Sequence, residues 1–193
     1  HSLNLATWGN PTERAQQGAS TDEAYWLADN RQYNPYWGYQ GGKKRNSRVV
    51  NNFEPSALLT WDFQIKDNMK LTTSAFFKYA MYSSTKLNYN GQNPAPDYWK
   101  NFPSNNVNVW EQDANADWAG WQESYDYWTA SKRNRQINWD KLYYTNQQLN
   151  STGKDAVYWV EAKHNDHMVT NLGSTFDWDI NRTTKFRAGV QLA

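Results

Sequence analysis

The chain has 193 residues, a formal net charge of +1 and no cysteine, and it is unusually rich in tryptophan (12) and tyrosine (13). The balanced charge argues against a nucleic-acid partner, which needs a clustered basic surface, and the lack of cysteine excludes disulfides and thiolate metal sites. No run approaches the roughly 18 consecutive apolar residues of a transmembrane helix, and this much aromatic surface argues against a disordered chain.

Residues 1–43 show no sustained hydrophobic period and are predicted to be mainly a loop. Thr21 can cap a short helix over residues 22–27, because acidic residues follow it in the first turn. Residues 33–42 are aromatic and rich in turn formers. The basic residues between Lys43 and Arg48 then lead into a strand, where they either contact acidic lipid head groups or form a solvated strand end.

Two stretches of one design, Thr60–Leu71 and Thr175–Phe186, provide the clearest structural signal. In each, apolar and polar residues alternate on both sides of a short polar turn, at residues 66–69 and 181–184. Alternate strand side chains point to opposite faces, so each stretch predicts an antiparallel hairpin with one apolar face. We expect these hairpins to span residues 44–82 and 168–193. Their apolar set is Leu59, Trp61, Phe63, Ile65, Leu71, Phe77, Phe176, Trp178, Ile180 and Phe186, opposite Asp62, Gln64, Ser74, Lys78 and Asp177.

Residues 83–167 lie between the hairpins and are predicted to be a long, irregular loop. A helix is expected after Asn138, which can serve as its N-cap. Short turns at one end of the strands and long segments at the other are typical of a membrane β-barrel. A soluble sheet packed on one face would show the same alternation, so the pattern alone leaves both architectures open.

Several stretches resemble parts of the Bacteroidota TonB-dependent outer-membrane receptors, in the order found there. They are Tyr33-Asn34-Pro35-Tyr36-Trp37-Gly38-Tyr39-Gln40, Gly42 to Val49, Leu71-Thr72-Thr73-Ser74, Pro96-Asp97-Tyr98-Trp99, Ile137 to Tyr143, and His164-Asn165-Asp166. The resemblance covers most of the chain, and it is the combination of short motifs that makes it specific. It implies a bacterial outer-membrane location.

The resemblance implies an all-β fold, in which residues 1–193 form antiparallel hairpins of a partial transmembrane β-barrel with long irregular loops that carry one or two short helices. It implies import of a nutrient, which could be a glycan, a peptide or a metal chelate. The expected partners are this solute, outer-membrane lipid, the rest of the barrel and plug, and TonB through the plug. A surface lipoprotein partner stays open. No nucleic acid, cofactor or enzymatic activity is expected. The plug is absent from these residues, and the strand at 185–192 runs almost to the last residue, so we interpret the chain as a fragment.

The candidate ligand-binding residues are Trp118, Trp121, Tyr125 and Trp128, which lie close together among acidic side chains. Aromatic faces stack on sugar rings or flat apolar ligands, and carboxylates accept hydrogen bonds from hydroxyl or amine groups. The alternative interpretation is that these rings form a small core of the loop itself, which is the commoner use of tryptophan.

Two weaker metal-site patterns are present. Residues 113–117 open with the spacing of a calcium loop, but Trp118 stands where an EF-hand needs glycine, and Glu123 is one position too early for its glutamate. His164 and His167 could share a face with Glu161, although such histidines are more often hydrogen-bonded surface residues. We therefore assign no metal ligand.

The alternative function is a secreted or surface β-sheet module that binds glycans by aromatic stacking. Catalysis has little support, since no carboxylate pair stands out by its spacing and no nucleophile or phosphate-binding motif is recognisable.

Overall fold

The computed structural model of the protein describes residues 1–107 and 116–193. In chain order, the elements in these ranges are β1 (Ser2–Trp8), β2 (Thr12–Ala15), α1 (Asp22–Ala28), β3 (Trp37–Gln40), β4 (Lys43–Asn46), β5 (Val49–Phe53), β6 (Ser56–Lys66), β7 (Met69–Tyr89), α2 (Trp118–Ala130), β8 (Ile137–Asn138), α3 (Trp139–Ser151), β9 (Tyr158–His164), β10 (His167–Asp179) and β11 (Lys185–Leu192). Two short 3₁₀ turns, Trp99–Asn101 and Pro103–Asn106, precede α2.

The chain separates into two compact units. Unit 1 consists of His1–Glu13, Val50–Ser83 and Lys163–Ala193, and unit 2 consists of Arg14–Val49 and Ser84–Ala162. All α-helices in the described ranges belong to unit 2, and none of them has the length and apolar character needed to cross a bilayer. The protein is mainly β-sheet with antiparallel pairing, as predicted, but its described residues form three α-helices where one or two were expected.

The main sheet contains both predicted hairpins. β6 pairs with β7 and β10 pairs with β11, both antiparallel, and the sheet order is β1-β6-β7-β10-β11. Off this path, β2 pairs with β5, while β5 and β9 pair with β7. The register joins side chains of one face across strands: Leu59 lies opposite Leu5 on one side and Ala75 on the other. Both antiparallel hairpins are confirmed as strand pairs, but the first consists of β6 and β7, and the residues before it, which were expected to belong to its first strand, form the separate strands β4 and β5.

The turns of the hairpins also lie where the sequence predicts them. The first strand pair closes at Lys66 and Met69, with a register shift between Gln64 and Lys66 that marks a bulge. In the second, the Asn181 side-chain oxygen accepts hydrogen bonds from the backbone N–H groups of Thr183 (3.0 Å) and Thr184 (2.9 Å). An asparagine that satisfies the turn backbone in this way stabilises a tight reversal.

Unit 1 presents one apolar face to the outside. Leu5, Leu59, Leu172 and Leu192 lie in one row across the sheet, with Ala75 between the middle two. The outermost members of the row, Leu5 and Leu192, are 68% and 67% exposed. Because the strands alternate, the other predicted apolar residues of these strands share this face.

The opposite face of unit 1 is mainly polar and carries paired charges, with one apolar contact where Phe76, which lies opposite Leu58, stacks on Trp8. Asp62 is 2.7 Å from the Lys70 ammonium and accepts a hydrogen bond of 2.7 Å from Thr72. On the second hairpin, Arg187 pairs with Asp177 on the neighbouring strand. The predicted division of side chains into an apolar and a polar face therefore holds for the strands of unit 1.

The segments expected to be loops contain more regular structure than predicted. Residues 1–43 include β1, which adds to the sheet beside β6, and residues 83–167 include the end of β7, two helices and β9. A second sheet has the order β4-β3-β8. Its β3–β8 pair is parallel, which departs from the expectation of antiparallel hairpins alone.

The helices of unit 2 begin at side-chain caps. Thr21 accepts a hydrogen bond from Ala24 N–H (3.2 Å), and Asn138 accepts one from Lys141 N–H (3.0 Å), so both predicted helix starts are confirmed. The remaining helix, α2, has Asp117 as its N-cap, and the Asp117 carboxylate accepts a hydrogen bond from the Gly120 N–H at 2.8 Å. This helix was not predicted.

Candidate functional site

Unit 2 has a small aromatic core that positions the candidate residues. Trp128 on α2 packs against Tyr33 and Phe102, with ring centroids 5.8 and 5.1 Å away. Ala24, Leu27 and Ala28 of α1 complete this cluster. The core thus fixes α2 against α1 and against the 3₁₀ turns before it.

The four predicted ligand-binding residues fall on one stripe of α2, because their spacing of three and four residues follows the helical repeat. The stripe changes character along its length. Trp118 at the start of the helix is 64% exposed, whereas Trp128 near its end is only 1% exposed. In this structure the Trp128 ring is part of the core and offers no free face to a ligand.

The remaining three rings continue into an aromatic row that also includes Trp26 of α1. Tyr125 stacks on Trp121 with centroids 5.2 Å apart and planes 8° from parallel. Trp26 contacts Tyr125 at 5.6 Å, and Trp118 contacts Trp121 at 6.5 Å. We call Trp26, Tyr125, Trp121 and Trp118 the aromatic row. Its two end rings, Trp26 and Trp118, are exposed, so a flat ligand can stack on either ring without a change in the fold.

Acidic groups near the row are mostly occupied by the protein itself. Asp117 caps α2, and Asp126 accepts a hydrogen bond from Gln122 (2.8 Å). The calcium-loop pattern at 113–117 lies mainly outside the described residues, and Asp117 is the member whose contacts are known. Within residues 1–107 and 116–193, no group of three or more histidine and carboxylate side chains could hold a metal ion.

The weak histidine pattern at residues 161–167 does not form a metal site in the described residues. Glu161 accepts a hydrogen bond from the Asn88 amide within unit 2. His164 and His167 flank the link between β9 and β10, where Asp166 accepts from Tyr82 N–H. Both histidines are exposed.

The basic stretch from Lys43 to Arg48 is held partly by aromatic rings. The Arg45 guanidinium lies 4.1 Å from the Trp139 ring centroid, and that of Arg48 lies 4.6 Å from the Tyr36 centroid. Such cation–π contacts stabilise a partly desolvated arginine. These two arginines are therefore half-buried structural groups rather than solvated strand-end charges.

Arg45 also borders a small apolar cavity of about 150 Å³. One guanidinium nitrogen donates to Gln40 (2.6 Å) and to the Tyr143 hydroxyl (2.9 Å), which fixes the side chain. The indole N–H of the neighbouring Trp139 is buried and has no hydrogen-bond partner among the described residues. The remaining walls are mainly apolar, from Leu87, Leu142, Trp159 and Val160.

Sequence reasoning missed Trp26 and Arg45 as members of these sites. Trp26 lies in the helix that the Thr21 cap predicts, so its exposure beside α2 depends on packing that a sequence does not display. Arg45 could have been found only through the alternation of β4, which turns it to the face opposite Lys44.

Comparison with known protein families, with curated proteins and with solved structures finds no match to this chain. Any functional assignment therefore rests on the chain's own residues and their arrangement.

Proposed function

We propose that this chain is part of a TonB-dependent receptor of the bacterial outer membrane, which binds a nutrient and imports it. The observation that carries the proposal is the sheet of unit 1, which has an exposed apolar face and an opposite face of paired charges. A soluble sheet normally covers its apolar face with a second layer. A barrel wall instead presents that face to lipid and its polar face to the lumen.

Strand length supports the same proposal. β6 has 11 residues, β10 has 13 and β7 has 21, whereas a tilted strand needs about 9–11 residues to cross a bilayer. On the apolar face of β6, β7 and β10, the side chains of Leu59, Trp61, Phe77 and Leu172 are exposed. Thr73 and Ser174 lie among them and hydrogen-bond to each other at 3.0 Å. Soluble monomers rarely expose large contiguous apolar patches.

The sheet edges supply a further argument. β1 and β11 end the sheet order, so in the described chain each has one edge without a strand partner. Open, apolar edges favour uncontrolled pairing with other chains. In the proposed protein these edges pair with neighbouring strands of the same barrel, which closure requires.

The solute-binding role belongs to unit 2 in this proposal. Unit 2 is built from the long segments that connect strands at the ends opposite the tight turns, and such segments form the outer loops of these barrels. Its aromatic row and cavities offer surfaces on which a nutrient can bind. Import would draw on TonB through a plug, with lipid around the wall.

A second candidate function is a surface module that binds glycans by stacking. The aromatic row favours it, because the end rings Trp26 and Trp118 are exposed and next to stacked partners. This candidate does not explain the uncovered face of unit 1. It predicts a protein that remains folded without lipid.

Membrane extraction of producing cells tests the proposal against the second candidate. A barrel protein should stay in the membrane pellet after washing with sodium carbonate at high pH and should be released only by detergent. A surface-bound module should be released by the carbonate wash, and that result would overturn the proposal. Loss of solute uptake in cells without TonB, with unchanged protein in the membrane, would separately support energised import.

A further inference from the structure

A polar cavity in unit 2, distinct from the aromatic row, gathers positive charge. Its volume is about 590 Å³, which lies within the range of ordinary small-molecule sites. The lining includes three basic residues: Lys44 of β4, and Lys132 and Arg135 from the segment after α2. Asp29 is the one carboxylate in the lining. We call it the cationic cavity.

The arginine of this cavity is held in place from two sides. Arg135 donates a hydrogen bond from its guanidinium to the Trp128 carbonyl (3.1 Å), and its own carbonyl accepts one from the Tyr33 hydroxyl (2.8 Å). Tyr33 and Trp128 belong to the buried core. The guanidinium is thus hydrogen-bonded to the buried core of unit 2, which reduces the ordering required when a ligand binds.

None of the three cations has an ion-pair partner among residues 1–107 and 116–193. Among the residues that the structure describes, the ion pairs all lie elsewhere, and none involves Lys44, Lys132 or Arg135. Like charges that share a cavity repel one another, and an anion that binds between them relieves this repulsion. The charge therefore selects a negatively charged ligand.

The rest of the lining specifies more than charge. Amide side chains of Gln17, Gln32 and Gln136 line the cavity, and each amide can donate to and accept from a hydroxyl group. The half-buried Trp37 adds an aromatic wall, which suits the apolar face of a sugar ring. A bare inorganic anion would use the cations and leave these groups without a role.

We propose that the cationic cavity binds a carboxylate-bearing sugar, such as a uronic acid unit of an acidic oligosaccharide. The carboxylate lies among Lys44, Lys132 and Arg135, the amides bind the ring hydroxyls, and Trp37 covers one ring face. This inference rests on the proposed function in one respect, because it names the class of nutrient that the receptor would capture. The binding site itself requires only that unit 2 is folded.

Titration calorimetry of the full chain with digalacturonate tests the proposal, with a neutral disaccharide and inorganic phosphate as comparison ligands. The double variant Lys44→Gln/Lys132→Gln should weaken digalacturonate binding about tenfold or more, because it removes two charge-assisted contacts. Arg135 stays unchanged, since it also supports the core.

The matched control is Lys43→Gln/Lys141→Gln. It removes the same total charge from exposed positions that do not line the cavity, and we expect less than a twofold change in affinity. Equal weakening by both double variants would overturn the site, because it would mean that only the overall charge matters. Binding of phosphate or of the neutral disaccharide as tightly as digalacturonate would overturn the assignment to an acidic sugar.

The two proposals can fail separately in this experiment. The titrations are performed in detergent micelles and in detergent-free buffer, on whichever sample shows the helical circular dichroism of unit 2. Folded protein in micelles that does not bind digalacturonate refutes the cavity proposal and leaves the membrane receptor intact. Folded, monodisperse protein in buffer that binds it supports the cavity and overturns the receptor.

Discussion

At the scale of single residues, burial divides the tryptophans of α2 into two roles. Trp118 and Trp128 lie on the same stripe of the helix, yet one ring is exposed and the other is enclosed by Tyr33 and Phe102. A buried ring contributes to stability through the apolar area and contacts it removes from water. An exposed ring is free to contact a ligand.

Replacing Trp128 by alanine should therefore destabilise unit 2 by about 3–5 kcal/mol, since the loss of a buried tryptophan leaves a large cavity. The same change at Trp118 should cost no more than about 0.5 kcal/mol. Urea unfolding followed by circular dichroism at 222 nm measures both, because the described helices all lie in unit 2. Equal costs would contradict the assignment of Trp128 to the core and Trp118 to the surface.

Tyr33 gives unit 2 a dependence on alkaline pH. Burial raises the pKa of its phenol well above the ordinary value, a nearby Asp97 acts in the same direction, and Arg135 opposes them. The folded state therefore keeps the proton at a pH where the unfolded chain loses it. The stability linked to Tyr33 is fully present below about pH 10, the pKa of an unperturbed tyrosine, and is lost as the pH rises above it.

Between pH 10 and 12, the free energy of unfolding should fall by up to about 1.4 kcal/mol per pH unit because of Tyr33. Tyr33→Phe should be less stable at pH 8, since it loses the hydrogen bond to the Arg135 carbonyl, but its stability should change less with pH. Tyr144→Phe removes an exposed phenol and serves as the control. A pH slope in Tyr33→Phe as steep as that of the unchanged protein would refute the argument.

At the scale of elements, the sequence predicts those strands, turns and helix starts that are determined by neighbouring residues. The strands of both hairpins show long alternation and end at polar turns, so their pairing needed no knowledge of distant residues. The caps Thr21 and Asn138 marked two helix starts for the same reason. These signals are carried by neighbours in sequence.

Elements that depend on a distant partner were missed. β1 offers only two alternating leucines, and it is a strand because the edge of β6 is available for pairing. β8 has two residues and pairs in parallel with β3, where Gly38 is required: a Cβ there would lie 2.1 Å from the Ile137 carbonyl oxygen. The helix α2 was not predicted because it contains many aromatic residues, which have modest helix propensity. The cationic cavity is lined by four separate stretches of the sequence, which share no recognisable motif.

The two faces of β6 provide a test at this scale. Arginine at Leu59, on the apolar face, should destabilise the protein in lipid by about 2–4 kcal/mol if the residue lies near the middle of the bilayer. Arginine at Thr60, on the opposite face, should cost about 0.5 kcal/mol, because a polar lumen tolerates charge. Urea titration of protein folded into lipid vesicles measures the difference. Similar tolerance at both positions would contradict a lipid-facing apolar side.

At the scale of the whole molecule, the arrangement of apolar surface decides in which solvent the protein folds. The buried clusters lie in unit 2, whereas every residue of β1 and β11 in unit 1 is exposed. In water, the apolar face and open edges of such a sheet would associate with other chains.

We therefore expect the 193-residue chain to be aggregated in detergent-free buffer and monodisperse in detergent micelles. Sedimentation velocity in both conditions measures this, with circular dichroism to confirm the β-sheet in the micelle sample. A monomer in plain buffer with a sharp, cooperative melt would show that the apolar face of unit 1 is compatible with water.

The core of unit 2 has a consequence for the order in which the protein folds. The hydrogen bond between Tyr33 and Arg135 joins residues 102 positions apart in the sequence, whereas β6 and β7 are joined across a turn of two residues. Closing a short loop costs less entropy than closing a long one, so local hairpins form first. Leu27 and Tyr33 therefore stay unburied until the distant segment that contains Trp128 and Arg135 has reached them. The helix α1 is thus among the last parts of unit 2 to become stable, and this interval is when a chaperone would be needed most.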